Sequence, residues 1–216
     1  MPSTPAKRKL LAAPERSASI LSAAATAFAR NGYAATTLDQ VAAAAGVSKL
    51  IVYRHFNSKR ELYLAILQQI GTRLDAVEES HAPVHARDGG PAIEATAEVL
   101  RRRFAVVREL PDAYRLLVRH AAREPEFAEF VTKRTKRERR QVEARLANVA
   151  DPTVRRWLAT VVIETVQQAF LAWLDAGTPA RDDELAERVS YLLAGMVGSL
   201  WDRAAARGDA VGPADR

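Results

Sequence analysis

Thr37-Leu38-Asp39-Gln40-Val41-Ala42-Ala43-Ala44-Ala45-Gly46-Val47-Ser48-Lys49-Leu50-Ile51-Val52-Tyr53-Arg54-His55-Phe56 contains two short helical patterns separated by a glycine. Thr37 and Gln40 stand at the spacing where a threonine hydroxyl and a glutamine side chain each satisfy an N–H that a new helix leaves open. Leu38, Val41, Ala42 and Ala45 then share one apolar face. Gly46 permits a sharp turn, Val47 can plug a core, and Ser48 stands where a hydroxyl can cap a third helix from Lys49 to Phe56. Two short helices joined in this way, the second basic and amphipathic, form a helix-turn-helix, whose second helix lies in a DNA major groove while the first buttresses it.

Working outward, Ile20, Leu21, Ala24, Ala27 and Phe28 recur at three- and four-residue steps. They predict a first helix that opens at Pro14 and stops at Asn31-Gly32. On the other side, Ser58 and Glu61 predict a second capping box before a long helix bearing Leu62, Tyr63, Ile66, Ile70, Leu74 and Val77. A loop from His81 to Pro91 follows. Further helices are expected near Pro91–Glu109, Ala113–Arg123, Phe127–Val149, Thr153–Ala176 and Asp182–Arg207, separated by proline- and glycine-marked breaks. With 42 alanines among 216 residues, local propensity favours helix nearly throughout, and the chain reads as all-α with about nine helices. The expected organisation is a flexible basic arm (1–13), a helix-turn-helix domain (14–60), a larger helical domain (61–207) and a flexible tail (208–216).

Charge supports that division. Residues 1–60 hold nine Lys or Arg against Glu15 and Asp39, so +7 of charge precedes a remainder of −1, within a total of +6. A basic first quarter on a nearly neutral body is what a module for a polyanion requires. The absence of cysteine removes disulfides, thiolate metal sites and cysteine nucleophiles, and fits a reducing compartment. Neither a signal-peptide apolar stretch nor about 18 uninterrupted apolar residues is found, so the expectation is a cytoplasmic protein with no membrane partner.

From Ala27-Phe28-Ala29-Arg30-Asn31-Gly32-Tyr33, through the helix-turn-helix, to Ser58-Lys59-Arg60-Glu61-Leu62-Tyr63, the chain resembles the N-terminal domain of TetR/AcrR-family transcription regulators. The resemblance covers roughly residues 14–65. It implies double-stranded DNA as partner, with Thr36, Thr37, Ser48, Lys49, Tyr53, His55 and Lys59 at positions that touch phosphates or groove edges. Lys49, Leu50, Ile51 and Arg54 would lie nearest the bases. Family members commonly carry a small or polar pair where this chain has Leu50-Ile51. That favours methyl contacts or shape recognition over hydrogen-bonded readout if the pair meets DNA, and core packing is the alternative.

The remainder is expected to dimerise and to sense an unknown small-molecule effector, as the resemblance implies. Its wide apolar bands place Val161 and Thr165 on one helix and Val189, Leu192, Gly195, Met196 and Gly198 on the next as a candidate interface between two copies. Phe104, Tyr114, Leu117, His120, Phe170 and Trp173 are candidate pocket residues. The implied function is a homodimeric repressor of a palindromic operator, released by its ligand. The alternatives are a low-specificity architectural DNA-binding protein and a helical-bundle metalloenzyme. Against the enzyme stand a single Glu-x-x-His unit at Glu78 and His81, a His81/His85 pair interrupted by Pro83, and no recognisable nucleophile and base; no cofactor is expected. The basic runs Arg101-Arg102-Arg103 and Lys133 to Arg140 read as solvated helix faces holding surface ion pairs.

Overall fold

A computed structural model describes residues 13–80, 93–147 and 149–206, with side chains over 15–80, 93–147 and 149–198. The Lys7-Arg8-Lys9 arm, the 81–91 loop with both of its histidines, and the 208–216 tail lie outside the described residues. The helices are α1 (Ala13–Asn31), α2 (Leu38–Ala44), α3 (Lys49–His55), α4 (Lys59–Glu79), α5 (Ile93–Glu109), α6 (Pro111–Arg115), α7 (Ala128–Arg145), α8 (Pro152–Ala176) and α9 (Asp182–Ala206). No strand occurs among the described residues.

Local chemistry sets the first boundaries. Gly32, at φ +81°, ends α1, and its N–H reaches the Phe28 carbonyl at 2.9 Å. At the start of α2 the capping box is complete, with the Gln40 N–H donating to Thr37 Oγ1 at 3.2 Å and the Thr37 N–H donating to Gln40 Oε1 at 2.9 Å. Gly46, at φ +65°, closes α2 in a Schellman turn: its N–H bonds the Ala43 carbonyl, and the Val47 N–H bonds that of Ala42. Two expected caps differ. Ser48 occupies the N-cap of α3 but its side chain makes no cap hydrogen bond. Ser58 accepts from the Glu61 N–H at 3.1 Å, yet the Glu61 carboxylate reaches one residue further back, to the Asn57 N–H at 2.8 Å.

α1, α2 and α3 wrap the start of α4 around Phe28, Val41, Val52 and Leu62. α4 then runs on to pack against α5, α5 lies along α9, and α7 lies along α8. One apolar cluster is continuous from Ile20 to Leu193. It crosses between the two halves at an aromatic knot, where Phe127 stacks on Tyr63 (centroids 4.4 Å) and meets Tyr33 edge-on (5.0 Å). Fully buried aromatic rings of this kind typically contribute about 3–5 kcal/mol when judged by truncation to alanine.

The expected single helix from Ala113 to Arg123 is not one helix. α6 passes into a π-turn over Leu116–His120 and a 3₁₀ turn over Ala121–Arg123, which together bury Leu116 and Ala121. α8 is long and apolar enough, by length and composition alone, to cross a membrane. Here Leu158, Ile163, Val166 and Phe170 bury one side of it within the bundle.

Candidate nucleic-acid interface and cavity

The side chains of α3 divide sharply. Val52 is buried and Ile51 packs partly against the core, whereas Leu50 is 67% exposed and Tyr53 and Arg54 also face outward. Of the Leu50-Ile51 pair, Ile51 thus packs partly against the core and Leu50 stands away from it. Lys49, Leu50, Tyr53 and Arg54 fall at positions that share one side of a helix, and they form a single outward surface. Lys49 Nζ is held 2.8 Å from Asp39 on α2 and 5.8 Å from the Tyr53 ring centre. The hydrogen bond to Asp39 pushes the Lys49 ammonium further into its charged range. Arg54 has no ion pair among the described residues. His55 is half-buried beside the Phe56 ring at 6.3 Å.

Two expected contact residues are committed inward. Thr36 is buried, its hydroxyl donating to the carbonyls of Gly32 (2.8 Å) and Ala27 (3.3 Å). Lys59 donates to the carbonyls of Tyr33 (2.9 Å) and Ala34 (3.1 Å) while lying 4.6 Å from the Tyr33 ring centre. Its charge ties the turn after α1 to the start of α4. Thr37 remains exposed at the N-terminus of α2, and Ser48 is exposed at that of α3. Asp39, which fixes Lys49, is absent from the sequence-derived candidates; its place in the first turn of α2, ten residues before Lys49, is the available signal.

None of the six expected pocket residues lines the apolar cavity of the helical body. Phe104, Tyr114 and Phe170 are fully buried and fill their own space, with the Phe104 and Phe170 rings 5.0 Å apart. Leu117 and His120 sit in the π-turn, and Trp173 donates to Asp182 at 3.0 Å. The cavity, of about 140 Å³, opens instead among α5, α7, α8 and α9 and the end of α4. Val99, Val142, Val162, Ile163, Val166 and Leu193 supply apolar wall. At one end stand Glu78, Arg103, Glu138 and Arg145, with Thr96 on the wall formed by α5.

That end is an ionic network in which the buried Arg103 Nε has no hydrogen-bond partner among the described residues. Arg103, 8% exposed, donates to Glu78 at 2.5 Å and to Glu138 at 2.8 Å, and Arg145 pairs with the other Glu78 oxygen. Burial alone would raise the Glu78 carboxyl, but the guanidinium groups of Arg103 and Arg145 outweigh it and hold the group below the ordinary carboxylate range. Burial likewise opposes the Arg103 charge, and Glu138 and Glu78 more than restore it. Neighbouring pairs bind α4 to α7: Arg134 to Asp75 at 3.0 Å, Arg137 to Asp75 at 3.2 Å, and Arg137 to Glu79. The expectation of solvated basic faces therefore holds for Lys133–Glu129 and Arg102–Glu98 but not for Arg103 or Arg134, which are turned inward. The sequence does carry a signal: Glu78 continues the four-residue stripe of Leu62, Ile66, Ile70 and Leu74, and Arg103 interrupts that of Leu100 and Val107. Among the described residues no group of three or more His, Asp or Glu is placed to hold a metal ion, and Glu78 is engaged by arginines.

The outer sides of α8 and α9 carry exposed apolar residues: Val154, Trp157 (55%), Tyr191 (65%) and Leu192. Of the residues expected between two copies, Leu192 and Gly195 face outward, with open space where a Cβ on Gly195 or Gly198 would stand. Val161 and Thr165 are half-buried. Val189 is buried in the chain's own core and Met196 packs against that core, because α5 covers this side of α9.

Residues 20–66 match the model of the bacterial regulatory proteins of the tetR family. The chain is 51% identical over 55 residues to the HTH-type transcriptional activator FasR of Mycolicibacterium smegmatis, covering 26% of this chain and 25% of that one. To the HTH-type transcriptional repressor Rv3405c of Mycobacterium tuberculosis it is 35% identical over 130 residues, covering 53% of this chain and 66% of that one. The chain thus spans from a quarter to just under two thirds of the length of these curated relatives. The crystal structure of the TetR-family regulator PfmR from Thermus thermophilus shares the fold at TM-score 0.65 and 23% identity, covering 81% of this chain and 96% of that one. Residues 20–66 thus carry the sequence pattern of the tetR family of bacterial regulatory proteins, and the helical body beyond them shares the fold of a solved TetR-family regulator.

Proposed function

We propose that this protein is a homodimeric, sequence-specific DNA-binding transcription regulator acting in the cytoplasm, a repressor that binds a palindromic operator and is released by a small molecule in the cavity. The observation that carries the reading is the outward surface of Lys49, Leu50, Tyr53 and Arg54 on a helix whose other side is locked into the core. Lys and Arg there donate to phosphates or to guanine edges, and Leu50 offers an apolar contact to a thymine methyl. Thr37 and Ser48, at two helix N-termini, are suited to phosphate oxygens. Thr36 and Lys59 act behind this surface by fixing the turn that presents it. The exposed apolar strip on α8 and α9 supports a two-fold pairing, which sets two α3 helices against successive major-groove faces.

Selection of binders from a random duplex library at near-physiological salt tests the proposal. An enriched inverted repeat is the expected result. Measurable binding without enrichment supports the architectural alternative, which the uncharged, non-directional Leu50 favours. No binding refutes both.

A further inference from the structure

The cavity is governed by two facts, its size and its charge balance. At about 140 Å³ it matches the volume that an apolar protein cavity needs to hold a single benzene-sized molecule. Its polar end holds Arg103 and Arg145 against Glu78 and Glu138, two charges of each sign, joined to one another by the contacts described above. A carboxylate entering this space adds an unmatched negative charge beside two glutamates, and an ammonium adds an unmatched positive charge beside two arginines. Either ion also leaves water for a largely aliphatic chamber. One wall group is neutral and free: the Thr96 hydroxyl makes no hydrogen bond among the described residues.

Resting on the effector role assigned to the cavity, we propose that it takes an uncharged, largely apolar molecule of about six to ten non-hydrogen atoms, with one carbonyl-type oxygen that accepts from Thr96. An ester, lactone or small aryl ketone has this chemistry. Selection against ions is then a property of the ionic network rather than of the apolar walls. The network also places the occupant next to α4, because Glu78 is the α4 residue on the cavity wall.

The test uses the full chain and three probes of matched shape, methyl benzoate, benzoate and benzylamine, with toluene as the apolar control, all read by calorimetry and by thermal shift. Methyl benzoate is expected to bind at least about tenfold more tightly than either ion. Thr96→Val is expected to remove most of the advantage of methyl benzoate over toluene while leaving toluene binding unchanged. Val162→Phe, which fills the cavity, should abolish binding of both. Equal or tighter binding of benzoate or benzylamine overturns the proposal, as does failure of methyl benzoate to bind or indifference of its binding to both substitutions. Affinity for the selected DNA is measured alongside. Methyl benzoate that binds as expected without altering DNA affinity supports the ligand class and removes the effector role. An ion that binds best and releases DNA does the reverse.

Discussion

Replacing Glu78 with glutamine tests whether the ionic network at the cavity is dry, and the size of the effect follows from its surroundings. Glu78 is 7% exposed and stands between Arg103, itself 8% exposed, and Arg145. Breaking one partner out of a buried pair costs about 3–5 kcal/mol, since the remaining charge stays out of water. The lower end applies here. Arg103 keeps Glu138, Arg145 has about a third of its side chain in solvent, and the glutamine oxygen still accepts one N–H. About 3 kcal/mol in a chain of this length lowers Tm by about 6–12 °C. Urea melts followed by far-ultraviolet circular dichroism, at one fixed protein concentration, measure it. The difference between wild type and variant should be complete above the ordinary glutamate pKa of 4.5 and should vanish as pH falls through the depressed folded value, because only the ionised carboxylate is held by the arginines. Glu78→Leu with Arg103→Met should recover little of the loss, because it leaves the part-buried Glu138 without Arg103 and Arg145 without Glu78. A loss under about 1 kcal/mol for Glu78→Gln, or one that persists at low pH, would refute a dry, ionised Glu78.

Arg54→Ala should reduce the salt dependence of specific DNA binding by about one counterion or relax a base preference, while Lys59→Met should lower the stability of the N-terminal helices and leave the salt slope nearly unchanged; equal slopes for the two would show that Lys59 faces DNA after all. Trp157→Glu together with Leu192→Glu should shift sedimentation from dimer to monomer and weaken binding to an inverted repeat more than to a half-site; a dimer that persists would remove the α8–α9 strip from the interface. Burial and a hydrogen bond to Glu126 push the Tyr33 phenol up to about 12. The stability from its neutral form is full below pH 10 and is lost as pH rises from about 10 towards 12, so Tyr33→Phe should flatten that alkaline limb, and an unchanged limb would show that Tyr33 contributes nothing to it.

What the sequence discloses about the fold is what neighbouring residues decide between themselves. Thr37 with Gln40, Gly32, Gly46 and the proline-marked breaks set helix ends through bonds spanning a few residues, and the structure keeps them nearly in place. The π-turn after α6 has no such local cause: it forms where Leu116 and Ala121 reach the core, a demand made by distant helices. The role of Lys59 is hidden from the sequence because its acceptors are carbonyls more than twenty residues away, and that of Thr36 because a threonine beside a capping threonine gives no hint of which hydroxyl turns inward. The position of the cavity is hidden for a packing reason. Aromatic side chains attract attention as pocket walls, but Phe104, Tyr114 and Phe170 pack on one another and leave no room, whereas space remains where short valines face one another across four helices.

Leu50 has neither a proton to give nor a lone pair to receive, and yet it stands 67% exposed on the outward surface of α3. In the DNA-binding reading, contact through such a side chain answers to a methyl group and not to the base that carries it. A thymine and a 5-methylcytosine present that methyl at the same point of the major groove, and an unmethylated cytosine presents none. A regulator built this way would register the methylation state of its own operator at that position, a covalent mark on the chromosome read by one aliphatic residue.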